Sequence, residues 1–324
     1  MRPNVGPVAS TSDNLDALLA AQAGLVTRQQ ALAAGLSADD IDDRLRRRRW
    51  RPVQPRVYLG TDHPLDAEVR IRAAVLWAGP GAVLSGTAAA WWHGLLERPP
   101  AATTLTVRPA AGRRWRARAG VVVRCRQVDP LDVAQLRGLV VTALPLTVLE
   151  TAVALGCAAG GRLVDRALRG PLRFPAVAQA HRRMRGAPGA ARAGVLLDAA
   201  AARSAAATVG LLARLLAEAG PAGWRVEACG PPGRIVFPAA GVAVELHGWA
   251  GPSGVAVTCH DREPMVLRYT WHDLVDRPTL VLARIAGAVA GGPAGARRVM
   301  STMCRDDVGR LRGQACTLAG YPES

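Results

Sequence analysis

Arginine side chains grouped in two short stretches are the residues of this chain best suited to bind a ligand. The first group comprises Arg44, Arg46, Arg47, Arg48, Arg49 and Arg51. The second group surrounds a tryptophan and comprises Arg113, Arg114, Trp115 and Arg116. Guanidinium groups bind phosphate oxygens, and an aromatic ring among them can stack on a nucleic-acid base. Both groups predict contact with a nucleic acid, and the alternative for the second is a solvated basic loop.

Two short helices are predicted just before and within the first arginine group. Thr27 can cap the first helix, and Gly35 can end it because glycine adopts a left-handed conformation at low cost. Ser37 can cap the second helix, with Asp40 three residues later completing a capping box. The segment therefore predicts two helices joined by a tight turn.

A pair of short strands is predicted directly after the second helix. Residues 50–58 alternate weakly between apolar and polar side chains, and Pro52 and Pro55 confine them to the edge of a sheet. Two helices followed by such a hairpin are typical of a winged helix-turn-helix, which presents one helix to the major groove of DNA.

Acidic residues precede the arginines along the second predicted helix. The expected ion pairs, four residues apart, are Asp40–Arg44, Asp42–Arg46 and Asp43–Arg47. Each such pair stabilises a helix by about 0.2–0.5 kcal/mol. Because phosphates repel the acids, the arginines at the far end predict binding to the DNA backbone rather than base reading.

Composition is compatible with several domains and a polyanionic partner. The chain has 324 residues, of which 50% are apolar, and a formal charge of +16. All of its 41 basic residues are arginine. Such a charge favours nucleic acid as the partner. No long basic amphipathic helix stands out, so we expect no membrane partner.

Cysteine usage and the first residues indicate the compartment. The six cysteines are scattered without a Cys-x-x-Cys pair, which does not favour zinc. A chain of this length does not need disulfides, so reduced thiols are expected. The first twelve residues contain no apolar core, and we expect no signal peptide. These features predict a cytoplasmic protein.

Residues 63–200 are predicted to form one mixed α/β domain without an identifiable active site. Residues 103–108 and 120–127 read as strands joined by the second arginine group as a hairpin loop. His93 is interpreted as a helix-end residue that bonds a backbone carbonyl, since no acid or nucleophile is placed around it. Glu150, on a predicted helix, is interpreted as a structural acid.

The N-terminal segment resembles the N-terminal domain of the AbiEi-type antitoxins of type IV toxin–antitoxin systems. The strings that carry the resemblance are GLVTRQQALAAGLS, then RRRRW, then VYL. The resemblance implies a DNA-binding protein that regulates its own transcription or neutralises a cognate toxin protein. The acids at the start of the second helix depart from a base-reading helix.

The C-terminal third reads as a helix, three strands, a fourth strand and a closing helix. The segments are residues 209–219, 224–229, 234–237, 242–246, 265–270 and 278–290. The order and the strings GWRV, FPAAGVAVELHGWA and VLRYTWHDL resemble the PD-(D/E)XK endonuclease fold. More closely they resemble its very-short-patch-repair-like domains, which implies two strand carboxylates that hold Mg²⁺.

Most of the acids that this resemblance implies are missing. Arg234 stands where the first carboxylate is expected, while Glu245 remains and His247 replaces the aspartate after it. The resemblance also implies a helix acid that often assists the two strand carboxylates, and this acid is absent from residues 204–209. Glu227, on the neighbouring strand, is a candidate for an acid that has moved to a new position. We predict a degenerate nuclease-like domain without a metal or cofactor, in which Glu245 pairs with a neighbouring arginine such as Arg234.

The sequence as a whole predicts a multi-domain α/β protein. The expected parts are a winged helix-turn-helix (13–62), an antitoxin-like mixed α/β domain (63–200), a degenerate endonuclease-like domain (203–290) and a basic tail (291–324). The leading hypothesis is a DNA-binding, antitoxin-like regulator without catalytic residues. The alternatives are an active endonuclease, for which Mg²⁺ would be the cofactor, and a protein-interaction scaffold.

Overall fold

The structure is a computed structural model that describes residues 11–109, 115, 118–227, 233–249 and 265–291. The predictions for Arg113, Arg114, Arg116 and for residues 292–324 of the basic tail lie outside the described residues. The chain divides into two compact units. Unit 1 holds the residues up to Leu172 together with Ala176–Leu196, and unit 2 holds Arg173–Pro175 and the residues from Leu197 onward.

The N-terminal part of unit 1 contains three helices and a three-stranded sheet. In chain order its elements are α1 (Thr11–Ala21), β1 (Leu25–Thr27), α2 (Arg28–Ala33), α3 (Ala38–Arg46), β2 (Trp50–Gln54) and β3 (Val57–Gly60). The sheet is antiparallel in the order β1-β3-β2, which places β2 at an edge as its prolines predicted. Ile41 and Trp50 are buried in the small core beneath the helices.

Helix α4 (Ala67–Ala78) belongs to the same unit as these elements. Its Val69 and Ala73 pack against Leu25 and Leu59 of the sheet. The predicted domain boundary between residues 62 and 63 therefore does not separate the two units. The observed division between the units falls between Leu196 and Leu197.

The rest of unit 1 surrounds a five-stranded mixed sheet. Its elements are β4 (Val83–Leu84), α5 (Gly86–Trp92), β5 (Thr103–Val107), β6 (Val121–Cys125), β7 (Val133–Leu136), β8 (Leu139–Thr142), α6 (Leu144–Arg169) and α7 (Phe174–Arg183), the last beginning in unit 2. The strand order is β6-β5-β4-β8-β7. Strands β5 and β6 pair in parallel, so the predicted hairpin between them is wrong. A parallel pair needs a crossover connection, and sequence alternation does not distinguish the two arrangements.

Helix α6 is broken at Gly156, whose φ of 81° and ψ of 176° are not helical. The chain on the far side of the break approaches the first half so closely that a Cβ at Gly160 would lie 2.1 Å from the carbonyl oxygen of Ala152. Glycine at position 160 is therefore required by the close packing of the two halves.

We expect Gly160→Ala to lower the free energy of unfolding by about 1–3 kcal/mol, since the added methyl group forces the halves of α6 apart. Urea denaturation monitored by circular dichroism measures this change. Gly210→Ala is the matched control, because a Cβ at that helical position meets nothing within 4 Å. Alanine should stabilise the helix there by about 0.5–1 kcal/mol. Equal stability of the two variants would contradict the expected clash.

Two helices are long and apolar enough to cross a membrane by length and composition alone, α6 and α8 (Ala190–Ala219). Helix α6 buries Leu149 and Leu168 in unit 1, and α8 buries Leu212 and Leu216 in the core of unit 2. Both helices thus contribute side chains to a packed core.

Unit 2 contains most of α8 and a four-stranded sheet. Its further elements are β9 (Arg225–Glu227), β10 (Gly233–Phe237), β11 (Val242–Leu246), β12 (Met265–Tyr269), α9 (Trp271–Asp276) and α10 (Pro278–Gly291). The helix predicted over residues 209–219 is the C-terminal part of α8, which begins much earlier, at Ala190. Strands β9, β10 and β11 are antiparallel, and β12 pairs in parallel with β11. One face of the sheet packs against α8 and α10 through Ile235, Val244 and Leu267.

Candidate nucleic-acid interface

Two capping boxes fix the starts of α2 and α3. Thr27 Oγ1 accepts a hydrogen bond from the Gln30 backbone N–H (3.1 Å), and the Thr27 N–H donates to Gln30 Oε1 (2.9 Å). Ser37 Oγ likewise accepts from the Asp40 N–H (3.0 Å), and Asp40 Oδ2 accepts from the Ser37 N–H (2.9 Å). The predicted cap of α2 and capping box of α3 are confirmed.

Hydrogen bonds also lower the pKa values of two carboxyl groups of α3. Hydrogen bonds from the Ser37 hydroxyl and backbone lower the pKa of Asp40 below its usual value. A hydrogen bond from Arg28 lowers the pKa of Asp42. A carboxyl group with a lowered pKa in the folded state contributes stability above its unfolded pKa of about 3.9, and this contribution is lost as the pH falls further. Both side chains are therefore ionised at neutral pH.

The acids of α3 are paired within the protein, though not all as predicted. Asp43 contacts Arg47 at 2.9 Å, as predicted, and also Arg46 at 3.2 Å. The predicted Asp42–Arg46 pair is wrong, because Asp42 contacts Arg28 of α2 at 2.8 Å. The carboxylates on this side of the helix thus have cationic partners inside the domain.

Two arginines of the first group are held against the domain. The Arg44 guanidinium lies over the Trp50 ring at 5.5 Å and donates a 3.4 Å hydrogen bond to the Asp40 carbonyl, so the predicted side-chain pair with Asp40 is wrong. Arg51 donates to the His63 carbonyl at 2.9 Å. Both are half-buried. Their guanidinium groups are less accessible to phosphate than those of the arginines between them.

The turn after α3 exposes four consecutive arginines, Arg46, Arg47, Arg48 and Arg49, here named the arginine turn. Arg46 and Arg47 share Asp43. Within the described part of the chain, the side chains of Arg48 and Arg49 have neither an ion pair nor a hydrogen bond. These two guanidinium groups are the most available phosphate ligands of the first group.

Arg48 occupies a position that normally favours glycine. Its φ is 54°, and the N–H groups of Arg48 and Arg49 donate to the carbonyls of Leu45 and Arg44. This is the Schellman arrangement, in which the left-handed residue after a helix is most often glycine. A left-handed conformation costs a residue with a Cβ about 1–2 kcal/mol. The chain therefore keeps a charged side chain here at the expense of stability.

We expect Arg48→Gly to raise the free energy of unfolding by up to about 1 kcal/mol, because glycine removes the left-handed strain. The same change should weaken DNA binding. Chemical denaturation and fluorescence anisotropy with labelled duplex DNA measure the two effects. Arg49→Gly is the matched control: its φ is not positive, so glycine there should not stabilise the fold. A destabilised Arg48→Gly protein would show that this side chain supports the fold.

The tip of the β2–β3 hairpin presents a further arginine that the sequence analysis missed. Pro55 and Arg56 form the turn between the paired residues Gln54 and Val57. Arg56 is exposed and has a φ of 59°. Its side chain has no polar partner among the described residues. The Pro-Arg pair between two short strands was the available signal, because the tip of such a hairpin is solvent-exposed.

Trp115 of the second arginine group is half-buried. Its ring packs edge-on against Trp77, with 5.3 Å between ring centroids, at the margin of the core of unit 1. Arg118 also lies over Trp77, at 5.7 Å. The ring of Trp115 therefore has a structural contact, and stacking on a base stays a prediction.

The predicted remnant acids lie on the face of the unit 2 sheet opposite α8. Four side chains in register across it form a charge ladder, Arg268–Glu245–Arg234–Glu227. Arg268 Nε donates to Glu245 at 2.9 Å, and Arg234 lies 3.7 Å from Glu245 and 3.6 Å from Glu227. The predicted pairing of Glu245 with Arg234 is confirmed. The closer partner, Arg268, was missed because its register with β11 is not visible in the sequence.

His247 and the end of β11 complete this region. His247 Nε2 lies 3.9 Å from Glu245. Within the described residues, no three His, Cys, Asp or Glu side chains are grouped to hold a metal ion. Helix α8 presents Ser204 here, and its Oγ accepts a 3.0 Å hydrogen bond from the Trp249 N–H. A Cβ at Gly248 would lie 2.1 Å from that oxygen, so the helix and strand end are in direct contact.

His93 and Glu150 have the structural roles predicted for them. His93 ends α5 and its Nε2 lies 2.9 Å from the Thr142 carbonyl oxygen. Glu150 is buried, contacts Arg126, and accepts a 2.9 Å hydrogen bond from the Gly86 N–H. Glu150 therefore caps the start of α5 from a distant segment, whereas the Ser85 side chain makes no cap bond and its Oγ accepts a hydrogen bond from Thr106.

Comparisons with known proteins assign neither a family nor a function to this chain. No protein-family model matches the chain. No curated protein matches it either. Among solved structures, the crystal structure of the RV2827C protein from Mycobacterium tuberculosis is similar over 60% of this chain and 78% of that chain. The sequence identity is 20% and the TM-score is 0.39, a likeness too low to carry an argument about function.

Proposed function

We propose that this protein binds DNA through the N-terminal part of unit 1, with residues 13–62 acting as a winged helix-turn-helix. The observation that carries the proposal is the arginine turn, in which exposed Arg48 and Arg49 have no acidic partner among the described residues. Arg56 adds a third such cation at the tip of the β2–β3 hairpin. Phosphate contacts of this kind position a protein on the duplex without reading its sequence.

Charge pairing supports backbone binding over base reading. The acids Asp42 and Asp43 would face the negative charge of the duplex if they were free. Their contacts with Arg28, Arg46 and Arg47 reduce that repulsion. The remaining exposed cations lie at the end of α3 and at the hairpin tip. This arrangement favours non-specific or weakly specific binding, because these cations contact phosphates.

Titration of labelled duplex DNA over a salt series tests this proposal. Counterion release predicts that the logarithm of the binding constant falls linearly with the logarithm of salt concentration, by about 0.9 for each phosphate contact. We expect the magnitude of the slope to correspond to at least three phosphate contacts. A flat slope would favour the scaffold alternative, in which the acids of α3 dock a basic protein.

The proposed role is regulatory and not catalytic. The charge ladder places guanidinium groups of Arg268 and Arg234 on both carboxylate oxygens of Glu245. A hydrated Mg²⁺ needs oxygen ligands and would have to displace these cations. Incubation of supercoiled plasmid with the protein and Mg²⁺ or Mn²⁺ should give no nicked or linear DNA. Cleavage that disappears in Glu245→Ala would support the endonuclease alternative.

The antitoxin-like role further implies a cognate toxin protein in the cytoplasm. The antitoxin resemblance of the N-terminal segment motivates this partner. Co-expression with the product of the adjacent reading frame tests it: a growth defect caused by that product should be relieved by this protein. A neighbouring product without toxicity would restrict the proposal to DNA binding.

A further inference from the structure

Unit 1 contains a basic cavity whose lining includes no residue of the arginine turn or of the β2–β3 hairpin. Its volume is about 790 Å³, and it opens between the end of β6, helix α6 and the segment that leads into α8. The charged side chains that line it are Arg124, Arg126, Glu150 and Arg192. Small-molecule sites commonly occupy about 300–1,000 Å³. The cavity is therefore large enough for a ligand of nucleotide size.

The positive charge of the basic cavity is not balanced within it. Glu150 is the one acid in its wall, and its oxygens are used by Arg126 and by the Gly86 N–H. Arg124 and Arg192 are exposed, and neither has an ion pair or side-chain hydrogen bond among the described residues. Arg126 Nε is buried and also has no partner there. Two guanidinium charges thus remain available to an anion.

The start of α8 adds to this positive potential. Ala191 and Arg192, in the first turn of the 30-residue helix, line the basic cavity. That turn contains no acidic residue. The N-terminus of a helix carries partial positive charge and favours anions. The helix terminus supports the site, while the arginines and the enclosed space define it.

Part of the lining of the basic cavity is apolar. Val153, Ala154, Met184 and Pro188 form this apolar wall. Gly189, with a φ of 90°, allows the backbone before α8 to lie close to α6, because a Cβ at this position would lie 2.9 Å from Val153 Cγ1. A site of this kind suits a ligand with an anionic end and a less polar body.

We propose that the basic cavity binds a small organic phosphate. A phosphate monoester carries about −1.5 to −2 charges at pH 7, which matches the two unpaired guanidinium groups better than a single carboxylate does. Arginine binds such oxygens with two parallel hydrogen bonds. The apolar wall accommodates the organic group, so the ester binds more tightly than inorganic phosphate.

Isothermal titration of the full chain with adenosine 5′-monophosphate, adenosine and inorganic phosphate tests this proposal. We expect the monophosphate to bind at least tenfold more tightly than either fragment. The double variant Arg124→Gln/Arg192→Gln should weaken monophosphate binding at least tenfold. The matched control is Arg162→Gln/Arg169→Gln, which removes two exposed arginines of α6 outside the cavity and should change binding less than twofold.

Three results would overturn the proposal. The first is no monophosphate binding at millimolar concentration. The second is an equal loss in both double variants, which would indicate a general charge effect. The third is a duplex DNA affinity that depends on Arg124 and Arg192 while the monophosphate does not bind, which would assign these residues to a second DNA contact.

Discussion

Glu150→Ala should lower the free energy of unfolding by about 3–5 kcal/mol, because it breaks a buried ion pair. The Glu150 side chain is 3% exposed and pairs with Arg126, which is 19% exposed. Burial, together with repulsion from Arg124, lowers the pKa of Arg126. Removing Glu150 leaves this desolvated cation without its counterion and the Gly86 N–H without its acceptor.

Urea denaturation of the full chain measures this change. Glu97→Ala is the matched control: it removes an exposed glutamate of the same unit and should change stability by less than about 0.5 kcal/mol. The double variant Glu150→Leu/Arg126→Met removes both charges, and its loss should be smaller than that of Glu150→Ala. A loss below about 1 kcal/mol in Glu150→Ala would mean that Arg126 reaches solvent without cost.

Arg48→Ala/Arg49→Ala should reduce the salt dependence of DNA binding, with a slope about 1.8 smaller in magnitude than that of the unmodified chain. Affinity at physiological salt should fall roughly tenfold for any DNA sequence, because phosphate contacts carry no base information. Both side chains are exposed, so their removal should leave the fold intact. Fluorescence anisotropy at several salt concentrations measures both quantities.

The control for this experiment carries the same change in net charge. Arg162→Ala/Arg169→Ala removes two exposed arginines of α6, which are not part of the arginine turn. Its slope should equal that of the unmodified chain. Adding Arg56→Ala to the first double variant should lower the slope by a further 0.9 or so. Identical slopes for the two double variants would show that overall charge, and not the arginine turn, drives binding.

The N-terminal part of unit 1 and unit 2 share one electrostatic feature. In each, acids that could repel or hydrolyse a polyanion are held by arginines: Asp43 by Arg46 and Arg47, and Glu245 by Arg268 and Arg234. The two clusters differ in the charge that is not paired. The arginine turn has exposed cations without acidic partners among the described residues, whereas the arginines of the charge ladder neutralise Glu245 within the sheet. DNA binding without cleavage is the function that this distribution of charge supports best.

Local features of the fold could be read from the sequence. Thr27, Ser37 and Asp40 cap their helices as predicted, because a capping box joins residues only three positions apart. The strand at Val242–Leu246 has the bounds that were predicted for it. The edge position of β2 followed from its prolines, which cannot donate to a neighbouring strand. Exposure of the arginine turn followed from charge that no core could accept.

Only the tertiary structure decided which distant side chains meet. Asp42 pairs with Arg28 and not with the predicted Arg46, because α2 packs beside α3. The parallel pairing of β5 with β6 and the contact of Arg268 with Glu245 depend on strand direction and register. Arg126 and Glu150 pair across 24 residues, and Glu150 reaches Gly86 across 64. Short-range signals act through a few backbone bonds, whereas these contacts arise only when cores pack and bring separate segments together.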